Sequence, residues 1–192
     1  MARPAERQAL FTIGHSTRSA PELIAILQGF EVTRVVDIRS IPRSATHPQF
    51  ESATLESALR RAQLAYTHLA ALGGRRPKSK LVADAVNAGW RVRAFHNYAD
   101  YAQSQAFQVG LRELLKMASR EACAILCAEV LWWRCHRRIV TDYVLAHGVP
   151  VTHLFNASKS EAASLTPFAV IDDGGRCISY PATEALRPAS DH

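Results

Sequence analysis

The chain has 192 residues, 48% hydrophobic and 21% charged, which is the range of one globular domain with a real core and leaves little room for a second. No run approaches the roughly 20 apolar residues of a membrane span, and residues 1–7 lack the apolar stretch of a secretory signal, so the expected address is the cytoplasm. Cys123, Cys127, Cys135 and Cys177 are too few and too clustered for a disulfide scaffold and are read as reduced thiols, while the net charge of +6 favours anionic partners.

Phe11-Thr12-Ile13 reads as a short strand ended by Gly14, where the backbone is expected to turn sharply. Ser19 and Glu22 form a capping-box pattern with Pro21 inside the first turn, and Leu23, Ile26, Leu27 and Phe30 follow at helical spacing. Val35-Val36-Asp37-Ile38 then reads as a buried strand, which completes a βαβ pattern. Residues 39–50, with Pro42 and Pro48, predict a long ordered loop. Leu55, Ala58, Leu59 and Ala62 restore helical spacing, residues 64–69 suit the next strand, and Leu72-Gly73-Gly74 must turn. Residues 75–80, Arg-Arg-Pro-Lys-Ser-Lys, predict a basic, mobile loop whose plainest role is a solvated turn.

Tyr98 and Tyr101, beside Asp100, are placed on a loop next to the site. Phe107, Leu111, Leu114, Leu115 and Ala118 mark another helix, and residues 122–128 a central strand. Residues 135–147 predict a further helix with Ile139, Val140, Tyr143 and Val144 on its core face and Gly148 as its cap. Residues 149–155 supply the last parallel strand, Pro150 marking its start or an edge. Residues 168–171 and 177–180 flank the turn-rich Asp172-Asp173-Gly174-Gly175 and predict a β-hairpin, and periodicity ends after Pro181.

Three groups of residues can carry chemistry. Gly14-His15-Ser16-Thr17-Arg18 lies where a strand gives way to a helix, the usual ligand-binding edge of an open α/β sheet; an ordinary capped loop is the alternative. Asp37 and Arg39 share one side of a strand end, so the carboxylate can orient an imidazole such as His15 or bind a substrate hydroxyl. Arg39 and Arg43 can grip a phosphate or carboxylate; a structural ion pair tying down the loop is the competing view.

The third group is Cys127-Ala128-Glu129 at a strand end, followed after five residues by Cys135-His136-Arg137. Cys135 is expected in a first helical turn, where the helix dipole and the neighbouring arginines favour its thiolate; an anion cradle at the same helix start is the alternative. Cys127, Glu129, Cys135 and His136 also offer metal donors, yet the paired spacings of zinc sites are absent. Neighbours on a helix point about 100° apart, which makes joint coordination by Cys135 and His136 awkward. Trp132 and Trp133 either wall a pocket or plug the domain against the hairpin, and His96, His147 and His153 read as structural.

The ordered set Thr12-Ile13-Gly14-His15-Ser16, Asp37-Ile38-Arg39-Ser40-Ile41-Pro42-Arg43-Ser44, Leu72-Gly73-Gly74, Tyr98-Ala99-Asp100, Cys127-Ala128-Glu129 and Cys135-His136-Arg137 resembles the family catalogued as domain of unknown function 488. The likeness runs from about Thr12 to His153 and brings no activity with it. It implies that His15, Ser16, Asp37, Arg39, Ser44, Cys127, Glu129, Cys135, His136 and Arg137 stand at family motif positions. Ala45, Ala102 and the Trp132-Trp133 pair depart from that pattern.

The expected fold is α/β: a three-layer α/β/α domain with a mainly parallel sheet over residues 1–160, then a C-terminal hairpin and loose tail over 161–192; a closed or partial barrel is the alternative. The expected function is an enzyme acting on a phosphate-bearing substrate, a nucleic acid or nucleotide. Arg39, Arg43 and Arg137 would hold the anion, with Ser16, Ser44 and Tyr98 beside it. Cys135 or Cys127 would be the nucleophile and His15 or Glu129 the acid/base, with Asp37 and His136 completing the site. A non-catalytic nucleic-acid-binding module is one rival. No cofactor is expected, zinc entering only in a third reading as a metal-dependent hydrolase.

Overall fold

The computed structural model describes residues 10–43, 46–172, 174 and 177–182. Among them, the short apolar runs become the parallel strands β1 (Leu10–Gly14), β2 (Arg34–Asp37), β3 (Ala65–His68), β4 (Cys123–Cys127) and β5 (Val151–Leu154). An antiparallel strand, β6 (Ser160–Ala162), extends the sheet beside β5, and the order across it is β3-β2-β4-β1-β5-β6.

Successive strand residues point to opposite faces, so each strand feeds two cores. Ile13, Val35, Leu126 and Leu154 pack with Leu23, Ile26 and Leu27 of α1 (Ala20–Gly29) and Leu55 and Leu59 of α2 (Ser52–Arg61). On the other face Val36, Ile125 and Val151 meet Tyr98 of α3 (Arg93–Ala102), Leu111 and Leu114 of α4 (Gln105–Ala118), and Val140 and Tyr143 of α5 (Arg137–Ala146). Burying leucines such as Leu23 and Leu27 completely stabilises the fold by roughly 1.5–3 kcal/mol each. The protein is thus a three-layer α/β/α fold with five α-helices among the described residues. A C-terminal antiparallel hairpin, β7 (Val170–Ile171) and β8 (Ile178–Ser179), joins it. No helix among the described residues is long and apolar enough to cross a membrane.

Local signals explain several boundaries. The Ser19 side chain accepts a hydrogen bond from the Glu22 backbone N–H and caps α1. Gly148, at φ 72°, takes the left-handed conformation that ends α5. Pro150 stands just before β5, which lies between β1 and β6 rather than at an edge.

Other expectations are corrected. Tyr98, Asp100 and Tyr101 lie on α3, a helix rather than a loop. Arg76 of the basic segment is tied down: its guanidinium donates to the Gly73 and Ala70 carbonyls and lies 3.8 Å from the centre of the Tyr101 ring. Cys135 precedes α5 in an extended conformation (φ −124°, ψ 147°), closing the 3-10 turn Trp132–Arg134 instead of entering the helix.

The connection from β1 to β2 passes over β4, and that from β4 to β5 passes over β1. Their helices pack on opposite faces, although β1 and β4 are neighbours with Gly14 beside Cys127. Chains that diverge in this way leave a crevice beyond the carboxyl ends of the two strands.

Candidate functional site

That crevice is a cleft of about 360 Å³ lined by His15, Arg39, Ser40, Ile41, Arg43, His47, Gly74, Arg75, Cys127, Ala128 and His136. Its base depends on a close approach at Gly14, where an added Cβ would lie 1.9 Å from the Glu129 carbonyl oxygen. Glycine is therefore required by contact; the left-handed turn is made by Ser16, at φ 47°. The backbone N–H groups of His15 and Ser16 donate to the Cys127 and Ala128 carbonyls and prolong the β1–β4 pairing into the site.

One wall is a web built on the buried Asp37. Its carboxylate accepts hydrogen bonds from the Arg39 guanidinium at 2.5 and 2.9 Å, the Arg39 backbone N–H at 3.0 Å and the Tyr66 hydroxyl at 2.9 Å. Arg39 Nη1 donates to the Phe50 carbonyl at 2.8 Å and lies 3.3 Å from His15 Nε2. The Ser16 carbonyl can only accept, so His15 Nδ1 donates to it at 2.9 Å and Nε2 presents its lone pair to Arg39. His15 stacks on Phe50 at 4.1 Å, and burial lowers its pKa to about 4, so the ring is neutral near pH 7. Burial also raises Tyr66 to about 12 and keeps its hydroxyl protonated. Asp37, Arg39 and His15 are therefore brought together in one hydrogen-bonded wall, with the Asp37 carboxylate balancing the Arg39 charge.

The opposite wall is a cluster of two thiols and an imidazole. Cys127 Sγ lies 4.0 Å and Cys135 Sγ 3.6 Å from His136 Nδ1. His136 Nε2 donates to the Ile38 carbonyl at 3.3 Å, so Nδ1 faces the sulfurs. The ring packs against Tyr98 at 4.9 Å, and Gly74 leaves room for it, since an added Cβ there would sit 2.8 Å from Nδ1. The Arg137 backbone N–H and Nε donate to Cys135 Sγ at 3.5 and 3.4 Å. Burial opposes ionisation of Cys135, but its hydrogen bond with Cys127 and the charges of Arg137 and His136 outweigh it and hold Cys135 well below the usual thiol range. The same sulfur–sulfur hydrogen bond, with burial, pushes Cys127 well above that range. Cys127 lines the cleft, and Cys135 sits behind it.

Not every sequence candidate reaches the cleft. Arg137 is 1% exposed, and its guanidinium donates to the Glu129 and Val130 carbonyls, bracing the loop that follows Cys127. The Glu129 side chain is exposed and accepts from the Leu131 N–H. Tyr98 is 1% exposed; its hydroxyl donates to the Leu72 carbonyl at 2.6 Å, so it positions His136 from behind. Ser16 contributes its carbonyl to His15, Arg43 is exposed at the rim, and Ser44 lies outside the described residues. Trp132 stacks on His153 at 4.3 Å and Trp133 packs edge-on against it; neither is among the described residues that line the cleft. His47, Gly74 and Arg75 do line it. The only sequence hint for the last two was the Gly73-Gly74 turn leading into a basic run.

A family model described as "Domain of unknown function DUF488" matches residues 19–144. The match covers Asp37, Arg39, Cys127, Cys135 and His136 and begins after His15. No curated protein and no solved structure matches the chain.

Proposed function

Because the chain belongs to the DUF488 family, a domain of unknown function, we propose its activity from the cleft itself: an enzyme acting on a phosphate-bearing substrate, either a nucleotide or a nucleic-acid end. The observation that carries this reading is the lining. Three arginines and three histidines face the cleft together with Cys127, and no carboxylate is among the described lining residues. Asp37 is fully buried and paired with Arg39. A concave site of this sign concentrates anions, and its volume lies in the range of small-ligand pockets.

The parts divide the work. Arg43 and Arg75, exposed at the rim, meet the phosphate. Arg39, ion-paired to Asp37 and bonded to the Phe50 carbonyl, holds the wall beside His15 in place before any ligand binds. The Cys127–Cys135–His136 cluster faces the held group and supplies the reacting end. A purely stacking nucleic-acid binder gains no support from the tryptophans, which lie elsewhere, nor from Arg76, which is engaged internally.

Calorimetric titration with ATP and with a 5′-phosphorylated oligonucleotide, alongside a panel of phosphomonoesters and phosphodiesters assayed for turnover, tests the reading. Arg43→Ala and Arg75→Ala should each weaken binding about tenfold, the loss of one charge-assisted contact. Arg60→Ala, on the exposed face of α2, should leave binding unchanged. His136→Asn should abolish turnover while binding persists. Absence of phosphate-ester binding, or rim variants that bind like the wild type, would overturn the proposal; binding without turnover of any ester would leave a binding module in its place.

A further inference from the structure

The cluster on the second wall has the composition and spacing of a coordination sphere. The donor atoms of Cys127, Cys135 and His136 all lie within 4.8 Å of one another. A tetrahedral zinc with Zn–S of about 2.3 Å and Zn–N of about 2.0–2.1 Å places sulfur and nitrogen donors roughly 3.6 Å apart. The separations here are 3.6 Å for Cys135 and 4.0 Å for Cys127, so only small side-chain movements separate this arrangement from a closed sphere. We infer that Cys127, Cys135 and His136 form a binding site for one soft divalent cation, zinc by the nature of the donors, with the fourth position open to the cleft.

The surroundings fit that assignment. A ligating histidine characteristically donates its other ring N–H to a carbonyl or carboxylate, and His136 Nε2 does so to Ile38. Cys135 Sγ accepts N–H bonds from the backbone and side chain of Arg137, as outer-shell donors to a metal thiolate do. Two thiolates offset a divalent charge, which suits donors as buried as these cysteines. The objection that adjacent helical residues diverge does not apply, because Cys135 is extended and lies before α5. Cys127 and His136 line the cleft whereas Cys135 does not, so the vacant vertex is on the cleft side, where a water or a phosphate oxygen completes the tetrahedron. What the ion acts on rests on the phosphate-ester reading above; the site itself does not.

Metal analysis of untagged, reduced protein in metal-free buffer should find about one zinc per chain. Cys127→Ser, Cys135→Ser and His136→Asn should each lower it to about a tenth or less, and Cys177→Ser should not. Cobalt loading should give a thiolate-to-metal charge-transfer band that is lost in Cys135→Ser. Gly74→Ala retains every donor but drives a Cβ against His136 Nδ1, and should weaken zinc binding by about 10–100-fold with an unchanged circular-dichroism spectrum. Folded wild type that binds neither metal, uptake insensitive to Cys127→Ser and His136→Asn, or a Cys127–Cys135 disulfide as the resting state would overturn the site. Zinc bound in the absence of phosphate-ester binding would sink the functional proposal and leave the site standing; ester binding and turnover without zinc would do the reverse.

Discussion

His15 and His153 show how one residue type is given a structural task by burial. His153 lies 2.7 Å from the Thr12 hydroxyl through Nδ1 and stacks on Trp132, while its Nε2 has no hydrogen-bond partner among the described residues. Burial lowers both histidines to about 4 from an ordinary 6.5, so the unfolded chain takes up protons that the folded protein refuses. The stability contributed is complete above pH 6.5 and is lost as pH falls toward 4, on the order of 2 kcal/mol for each ring. Urea midpoints should therefore fall between pH 7 and 4.5, and His153→Gln should flatten that fall; parallel curves for the two proteins would refute this account. Arg39 and Arg137 teach a related lesson. Sequence spacing placed both at the site, but whether a guanidinium meets a ligand or a backbone carbonyl depends on loops far along the chain, such as the one bearing Phe50.

At the scale of elements, the glycines separate two effects. Gly29 ends α1 with nothing within 4 Å of an added Cβ, whereas Gly14 meets a backbone carbonyl that cannot yield. Gly29→Ala should be neutral or stabilise by up to about 0.5 kcal/mol through helix propensity. Gly14→Ala should cost about 2 kcal/mol or more and disturb the β1–β4 crevice; chemical denaturation of both variants checks the contrast, and equal effects would contradict it. Elements with strong signals were legible: the Ser19 cap, the apolar periods of α1 and α4, and Gly148 after α5. α3 carries the same signal, with Phe95, Tyr98, Ala99 and Ala102 at helical spacing and packed in the core, although Tyr98 was expected on a loop. β6 escaped notice because Ser160, Glu161 and Ala162 are exposed on an edge and carry no hydrophobic pattern.

At the scale of the molecule, the C-terminal segment is woven into the core on the α5 face. Tyr180 is buried; its hydroxyl donates to Asp142 at 2.9 Å and its ring packs on Trp90 at 5.2 Å, while the Thr166 N–H donates to the same Asp142. Tyr180→Ala should destabilise the protein by about 3–5 kcal/mol in a single shifted unfolding transition; a separate early transition for the hairpin would show that it folds independently. The sequence alone determined the order and type of most elements, the α/β class, and the presence of thiols, imidazoles and guanidiniums at strand ends, because those properties are written in local period, capping and turn chemistry. Only the tertiary structure decided which of those groups meet. Insertion of β4 between β2 and β1 brought Cys127 beside Gly14 and next to the loop of Asp37 and Arg39, and the extended backbone at Cys135 turned its thiol toward His136. Such contacts follow from strand order and from burial, which no short window of residues contains.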